Sequence, residues 1–157
     1  MEDGTMLERY YVTPANTNKL GGNGKVVYTP VVVVKGADHT HVYVSGRTSR
    51  TLDGDVACKG DMGGQIREVC NAIEISLETV GATLADVTRT TTYTTDMKAY
   101  FAAIDERWKF FKEPLPTSTV IGVATLARPE MLVEIEVEAI IETDRLRLPK
   151  DSEVVRR

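Results

Sequence analysis

The sequence is poor in the residues that build disulfide frameworks, metal centres and nucleic-acid interfaces. It has two cysteines, Cys58 and Cys70, in no CxxC pair, so a disulfide scaffold and a thiolate metal cluster both lack their ligands. Free, buried thiols in a reducing cytoplasm are the expected state. Its two histidines, His39 and His41, flank Thr40 with no cysteine or carboxylate cluster beside them, which reads as a solvated turn and not a metal site. No metal and no cofactor is expected. Basic charge is not in excess: 19 Lys and Arg stand against 23 Asp and Glu, a formal net charge of −4. Neutralising a phosphate backbone needs clustered cations, so nucleic acid is a poor partner for this chain. The longest apolar stretch, Val31 to Val34, is far short of the roughly 20 residues of a membrane span. The opening MEDGTMLERYY has early acids and no apolar core, so it does not read as a secretory signal. The glycine-rich run Gly21-Gly22-Asn23-Gly24 is followed by no GK[ST] pattern, which argues against a phosphate loop.

What is present is a single domain's worth of alternating and helical patterns in 157 residues. Residues 1–24 are turn-rich and lack apolar periodicity, and are expected to form a flexible arm. A β-branched run from Lys25 to Val34, interrupted by Pro30, predicts a first strand at an edge or bulge. His41 to Ser45 returns as a second strand. Met62, Ile66, Val69, Ile73, Leu77 and Val80 recur at gaps of three and four, the apolar face of a helix that Gly81 is placed to end; Gln65, Arg67, Glu68, Glu74 and Glu78 fall mostly off that face. Val87 to Thr95 is a Thr-rich third strand. Asp96 is suited to cap a second helix, with Phe101, Ile104, Trp108 and Phe111 as its core stripe, ended by Pro114-Leu115-Pro116. Thr119 to Val123 and Leu132 to Ile141 are the fourth and fifth strands. In the last, Val133, Ile135 and Val137 alternate with Glu134, Glu136 and Glu138. Residues 143–157 read as a charged tail. The predicted order is β-β-α-β-α-β-β: an α+β domain over residues 25–142, with two helices on one face of a mixed sheet. The other face, rich in Val and Thr, has no helix left to cover it and points to self-association with cyclic symmetry.

The ordered set Val44-Ser45-Gly46, the helix Gln65 to Val80 with Gly81-Ala82, Asp86-Val87, Thr95-Asp96-Met97, Phe101-Ala102-Ala103, Phe110-Phe111, Ser118-Thr119-Val120 and Leu132-Val133-Glu134-Ile135-Glu136 resembles the RidA/YjgF family over roughly residues 26–142. The resemblance implies a chorismate-mutase-like protomer, a homotrimer with its sheets inward, and sites in the clefts between subunits. It also implies hydrolysis of reactive enamines or imines to ammonia and a carbonyl compound. Carried over position by position, it makes Glu134 the carboxylate that positions the attacking water. Tyr28, Ser45 and Gly46 become cleft residues, Thr119 a pocket residue, and Asp105 the counterpart of a helix asparagine. Typical members carry an arginine that pairs with the substrate carboxylate, and here Thr117 stands in its place.

Threonine offers a hydroxyl but no charge, so it cannot replace a bidentate guanidinium clamp. Three readings stay open: a substrate without a carboxylate, a cation moved elsewhere, or a cleft that binds without catalysing. For the second, Arg47, Arg50, Arg89 and Arg128 are the candidates. Arg47 directly follows Ser45-Gly46, Arg128 precedes the Glu134 strand, and Arg89 reads better as an ion-paired or solvated strand residue. Imine hydrolysis needs a polarised C=N carbon, an oriented water and a proton for the amine, and a carboxylate such as Glu134 can supply the last two. The sequence thus predicts a deaminase of a small imine or enamine, with an aminomuconate-like compound as one option. The alternative is a non-catalytic trimer that binds small metabolites in the same clefts.

Overall fold

The computed structural model of the protein describes residues 7–15, 17, 27–150 and 153–157. Seven strands, β1 (Glu8–Thr13), β2 (Val31–Lys35), β3 (His39–Arg47), β4 (Val87–Thr94), β5 (Thr117–Gly122), β6 (Val133–Glu142) and β7 (Glu153–Arg156), form one sheet in the order β5-β4-β6-β3-β2-β1-β7. The β4–β5 pair is parallel and the other pairs are antiparallel. Helix α1 (Met62–Glu78) lies across β3 and β6, and the short helices α2 (Met97–Ala102) and α3 (Asp105–Trp108) pack beside it. The expected α+β class and mixed sheet are thus observed. Among the described residues no helix is long and apolar enough to cross a membrane.

Two strands lie where the sequence suggested an arm and a tail. Residues 8–13 and 153–156 pair with each other, and β1 also pairs with β2, so both extend the sheet past the expected five strands. Their apolar content is too small to announce them: Tyr10 and Val12 enter the core only because β2 and β7 flank them. Residues 1–6, 16 and 18–24 of the predicted arm lie outside the described residues, as do residues 25 and 26 of the predicted first strand, which begins at Val31.

Alternation sets the two faces of the sheet. Val133, Ile135, Val137, Ala139 and Ile141 of β6 are buried beneath the helices, as are Val31 and Val33 of β2 and Val42 and Val44 of β3. Thr90, Thr92 and Thr94 of β4 are fully buried there too. Such threonines need partners: Thr90 Oγ1 accepts a 2.9 Å bond from Arg107 Nη2, and Thr94 Oγ1 donates to the Leu132 carbonyl at 2.9 Å. The opposite face carries Glu134, Glu136, Glu138, Tyr43, Tyr93, Ile121 and Ile140, half-buried or exposed.

Capping follows the sequence. The Asp61 side chain accepts from the Gly64 N–H at the start of α1, and Asp96 accepts from Ala99 at the start of α2. Gly81 at φ +87° reverses the chain after α1, with the Ala82 N–H returning to the Leu77 carbonyl. The second helical segment departs from expectation. It breaks into two short helices, and Trp108 and Phe101, read as core, are 52% and 55% exposed. The stripe that faces inward is Tyr100, Arg107 and Phe111, with the Arg107 guanidinium 4.5 Å from the centre of the Phe111 ring. An arginine in a buried stripe is invisible to a hydrophobic pattern. Both cysteines are free: Cys70 is buried, with its thiol pushed up to about 12 by burial, while Cys58 is exposed, contrary to its expected burial.

Candidate active site

The strand β3 is irregular at its end, the register against β6 shifting between Val44 and Arg47. This irregularity carries Ser45, Gly46 and Arg47 to the edge of a cleft of about 460 Å³. The wall on the helix side is Glu68, Asn71, Ala72 and Ile75 of α1. The 45–52 segment, Ala127, Met131, Tyr28 and Glu134 complete it.

Glu134 is the carboxylate of the cleft. A Cβ on Gly46 would lie 1.9 Å from Glu134 Oε1, so the missing side chain is what admits the carboxylate against the β3 backbone. Burial raises the Glu134 pKa above its ordinary 4.5, and the neighbouring Glu136 raises it further. Glu136 in turn accepts a 3.3 Å bond from the Tyr93 hydroxyl. A carboxylate that holds a proton more tightly than usual is the better base toward a water and can return that proton.

The strand that carries Glu134 is anchored by a residue the sequence pattern passed over. Gln65, placed off the apolar face of α1, is fully buried. Its Oε1 accepts from the Leu132 N–H at 2.8 Å, and its Nε2 donates to the Glu130 carbonyl at 2.8 Å. The amide pins both sides of Met131, three residues before Glu134. A glutamine one step from Ile66 in a helix gives no sequence signal for this; only the fold places the loop against it.

The predicted site residues divide. Tyr28, Ser45, Gly46, Arg47 and Glu134 line one cleft. The Ser45 hydroxyl donates to the Pro30 carbonyl at 3.2 Å, so it is engaged with the β2 approach. Thr117 and Thr119 sit on β5 at the edge of the sheet, exposed, and register with Arg89 and Thr91 of β4. They share the helix-free face with Glu134 but lie two strand spacings away, roughly 10 Å across the sheet, and are level with Glu138 and Glu136, further along β6. The Thr117 hydroxyl donates to the Thr88 carbonyl at 2.9 Å. Asp105 is exposed at the start of α3, away from the cleft. Arg128 turns from the cleft to the Gly54 carbonyl, with its Nε 3.9 Å from Glu130. Arg89 is paired with Glu138 at 3.8 Å on the open face, and Arg50 lines the cleft. Arg47 is buried at 8% exposure.

Known proteins share this fold over most of the chain. The model of the endoribonuclease L-PSP family matches residues 26–141. A Mycobacterium tuberculosis structure of the YjgF/YER057c/UK114 family is 28% identical, covers 84% of this chain and 99% of its own, and superposes with a TM-score of 0.65. A Rid-family protein of unknown function, YyfA of Yersinia pestis, is 25% identical over 85% of this chain and 99% of its own, with a TM-score of 0.72. A Thermotoga maritima protein named as a candidate endoribonuclease is 26% identical over 84% and 97%, also at 0.72.

Proposed function

The chain belongs to the endoribonuclease L-PSP family, the RidA/YjgF proteins, and from that premise we propose that it hydrolyses a small imine or enamine in the cleft around Glu134. The observation that carries the reading is the half-buried Glu134 carboxylate, seated against Gly46 with its pKa raised by burial. In the reaction, Glu134 takes a proton from a cleft water as the water oxygen adds to the C=N carbon. The same proton is passed to nitrogen to give a carbinolamine; Glu134 then takes the proton of the new hydroxyl and delivers it to nitrogen as the C–N bond breaks, so that ammonia leaves as the carbonyl forms. Imine and water are consumed, and carbonyl compound and ammonia are released, with no change of oxidation state. An enamine enters the same route after tautomerising to the imine.

The active assembly is a homotrimer in this proposal. The helix-free sheet face supports it: Tyr43, Ile121 and Ile140 are each about two-fifths exposed there, and apolar groups on an uncovered sheet call for a partner. The division of the site supports it as well. Thr117 and Thr119 on the edge strand are too far from Glu134 to serve its cleft within one subunit, and a neighbour's β5 edge would bring them to it. The name endoribonuclease fits this chain less well, since the net charge is −4 and phosphate backbones are bound by clustered cations.

The test is ammonia release from imines generated in situ by an amino-acid oxidase or a dehydratase, with wild type and Glu134→Gln. Faster release with wild type than with Glu134→Gln is expected. Identical decay with and without protein across a broad imine panel would leave the cleft as a binding site only.

A further inference from the structure

We infer that strand β7 is a docking edge for a second copy of this chain. Two β7 strands pair antiparallel about a two-fold axis at Val155, so that Glu153 of each meets the partner's Arg157. This goes beyond the hydrolase reading and rests on a different part of the molecule.

The sheet ends on β5 at one side and on β7 at the other. The β5 edge is the one the proposed trimer would cover. The β7 edge lies outside the family-matched residues 26–141, and among the described residues it pairs only with β1. Arg9 and Arg157 exchange both backbone bonds, at 3.1 and 2.9 Å. Alternation along an antiparallel ladder then turns the N–H and C=O groups of Glu153 and Val155 toward β1, and those of Val154 and Arg156 outward. Such an edge is a template for another strand, which proteins commonly blunt with lysine, proline or a bulge. Residues 153–157 contain no lysine and no proline, and they pair with β1 in unbroken register.

The outward groups fix how a second copy can sit. Only an outward-facing residue can bond to another, so Val154 stands opposite the partner's Arg156, and Arg156 opposite the partner's Val154. That register sets Val155 against the partner's Val155 and Glu153 against the partner's Arg157, in the closer, non-hydrogen-bonded pairs. These side chains share the helix-free face, because Tyr10 and Val12 of β1 point into the core. Val155 is 45% exposed there. Charge favours the same register. Arg157 stands opposite Arg9, like charges that repel across a strand pair, and no carboxylate among the described residues forms a salt bridge with either. A second copy brings its Glu153 to that end of the strand. The Arg157 guanidinium already lies 5.3 Å from the centre of the Tyr11 ring, on the face where the carboxylate arrives. A strand of four residues buries little area, so the association is concentration-dependent and not permanent.

The test is sedimentation of the full chain over a range of concentrations. Wild-type mass should rise toward about twice its dilute value as concentration increases. Glu153→Arg and Arg157→Glu should each keep the dilute mass over the same range, because each sets like charges opposite one another. Combining the two substitutions should restore the doubling, which a general loss of folding would not do. High salt should weaken the wild-type doubling. If either reversal fails to fold, Val155→Lys decides: it places like charges on the two-fold axis at an exposed position, and undiminished doubling counts against the proposal. Equal masses in wild type and both single reversals at every concentration would overturn the docking edge, as would a combined variant that stays at the dilute mass. Tyr43→Glu separates this edge from the trimer: it should lower the dilute mass and leave the doubling in place. Imine turnover by Arg157→Glu should match wild type, so the edge and the hydrolase reading stand or fall separately.

Discussion

Gly46 and Glu134 are fitted to one another: the carboxylate of Glu134 occupies the space a side chain at residue 46 would fill, 1.9 Å from where its Cβ would stand. The clash falls on the end of a flexible side chain and not on backbone. Gly46→Ala should therefore fold, with a melting temperature near that of wild type, and should swing the carboxylate out of the cleft. Turnover of imines is expected to fall at least about tenfold, since small misplacements of a proton-transfer group are costly. Ammonia release and a melting curve, measured on the same preparation, check both halves.

Glu134 should give a pH signature in stability as well as in rate. Its folded pKa lies above the ordinary 4.5, so the folded state binds the proton more tightly than the unfolded chain does. That contribution is fully present below pH 4.5 and is lost as pH rises through the raised folded value. Relative to wild type, Glu134→Gln should gain stability from pH 4 to pH 7. Urea unfolding of both proteins at several pH values tests this, and a constant difference would contradict it.

Gln65 should matter more than its polarity suggests. Replacing it with leucine leaves the part-buried Leu132 N–H and Glu130 carbonyl without their 2.8 Å partners. A loss of about 1–3 kcal/mol in unfolding free energy is expected, together with faster amide exchange at Leu132. Equal stability in wild type and variant would show that the loop is held by other contacts.

Arg145 and Asp86 are joined by two bonds of 2.7 Å, tying the turn after β6 to the start of β4. Burial would raise the Asp86 pKa, but bonds from Arg145 and Thr83 outweigh it and leave the carboxyl below its ordinary 3.8. The stabilisation from this group is present above pH 3.8 and is lost as pH falls through the lowered value. Asp86→Asn should therefore destabilise at pH 7 and converge with wild type in acid, as read by thermal melts.

The open sheet face should control assembly. Tyr43→Glu places a charge beside Glu136 and Glu138 on a partly exposed position, where the protomer can tolerate it and a subunit interface cannot. Sedimentation should show the wild-type trimer and a lower mass for the variant. A wild-type monomer of 17.3 kDa would remove the trimer from the proposal.

Several elements were legible in the chain because their signals are local. The gaps of three and four from Met62 to Val80 set α1, the alternation from Val133 to Ile141 set β6 and its two faces, and Asp96 marked the start of α2. Strands β1 and β7 were not legible, because each is short and gains its burial from pairing with the other across nearly the whole chain. The Tyr100–Arg107–Phe111 stripe was missed for a related reason: an arginine becomes a core residue only when Thr90 and the Phe111 ring meet it.

The candidate site divides along the same line. The residue types around Ser45-Gly46 and Glu134 could be picked out from the sequence, since a small-residue step and an alternating carboxylate strand are local patterns. Tertiary structure decided the rest: that Glu134 closes over Gly46, that Gln65 holds its strand, and that Thr117 and Thr119 stand across β4 from it. It also decided that Arg47 is buried without a counter-ion, whereas Arg128 is engaged with Gly54 and Glu130. Residue type and spacing determine which groups are able to do chemistry, but burial and the loss of water determine which of them are left unsatisfied, and those quantities exist only once the sheet and helix have closed around the cleft.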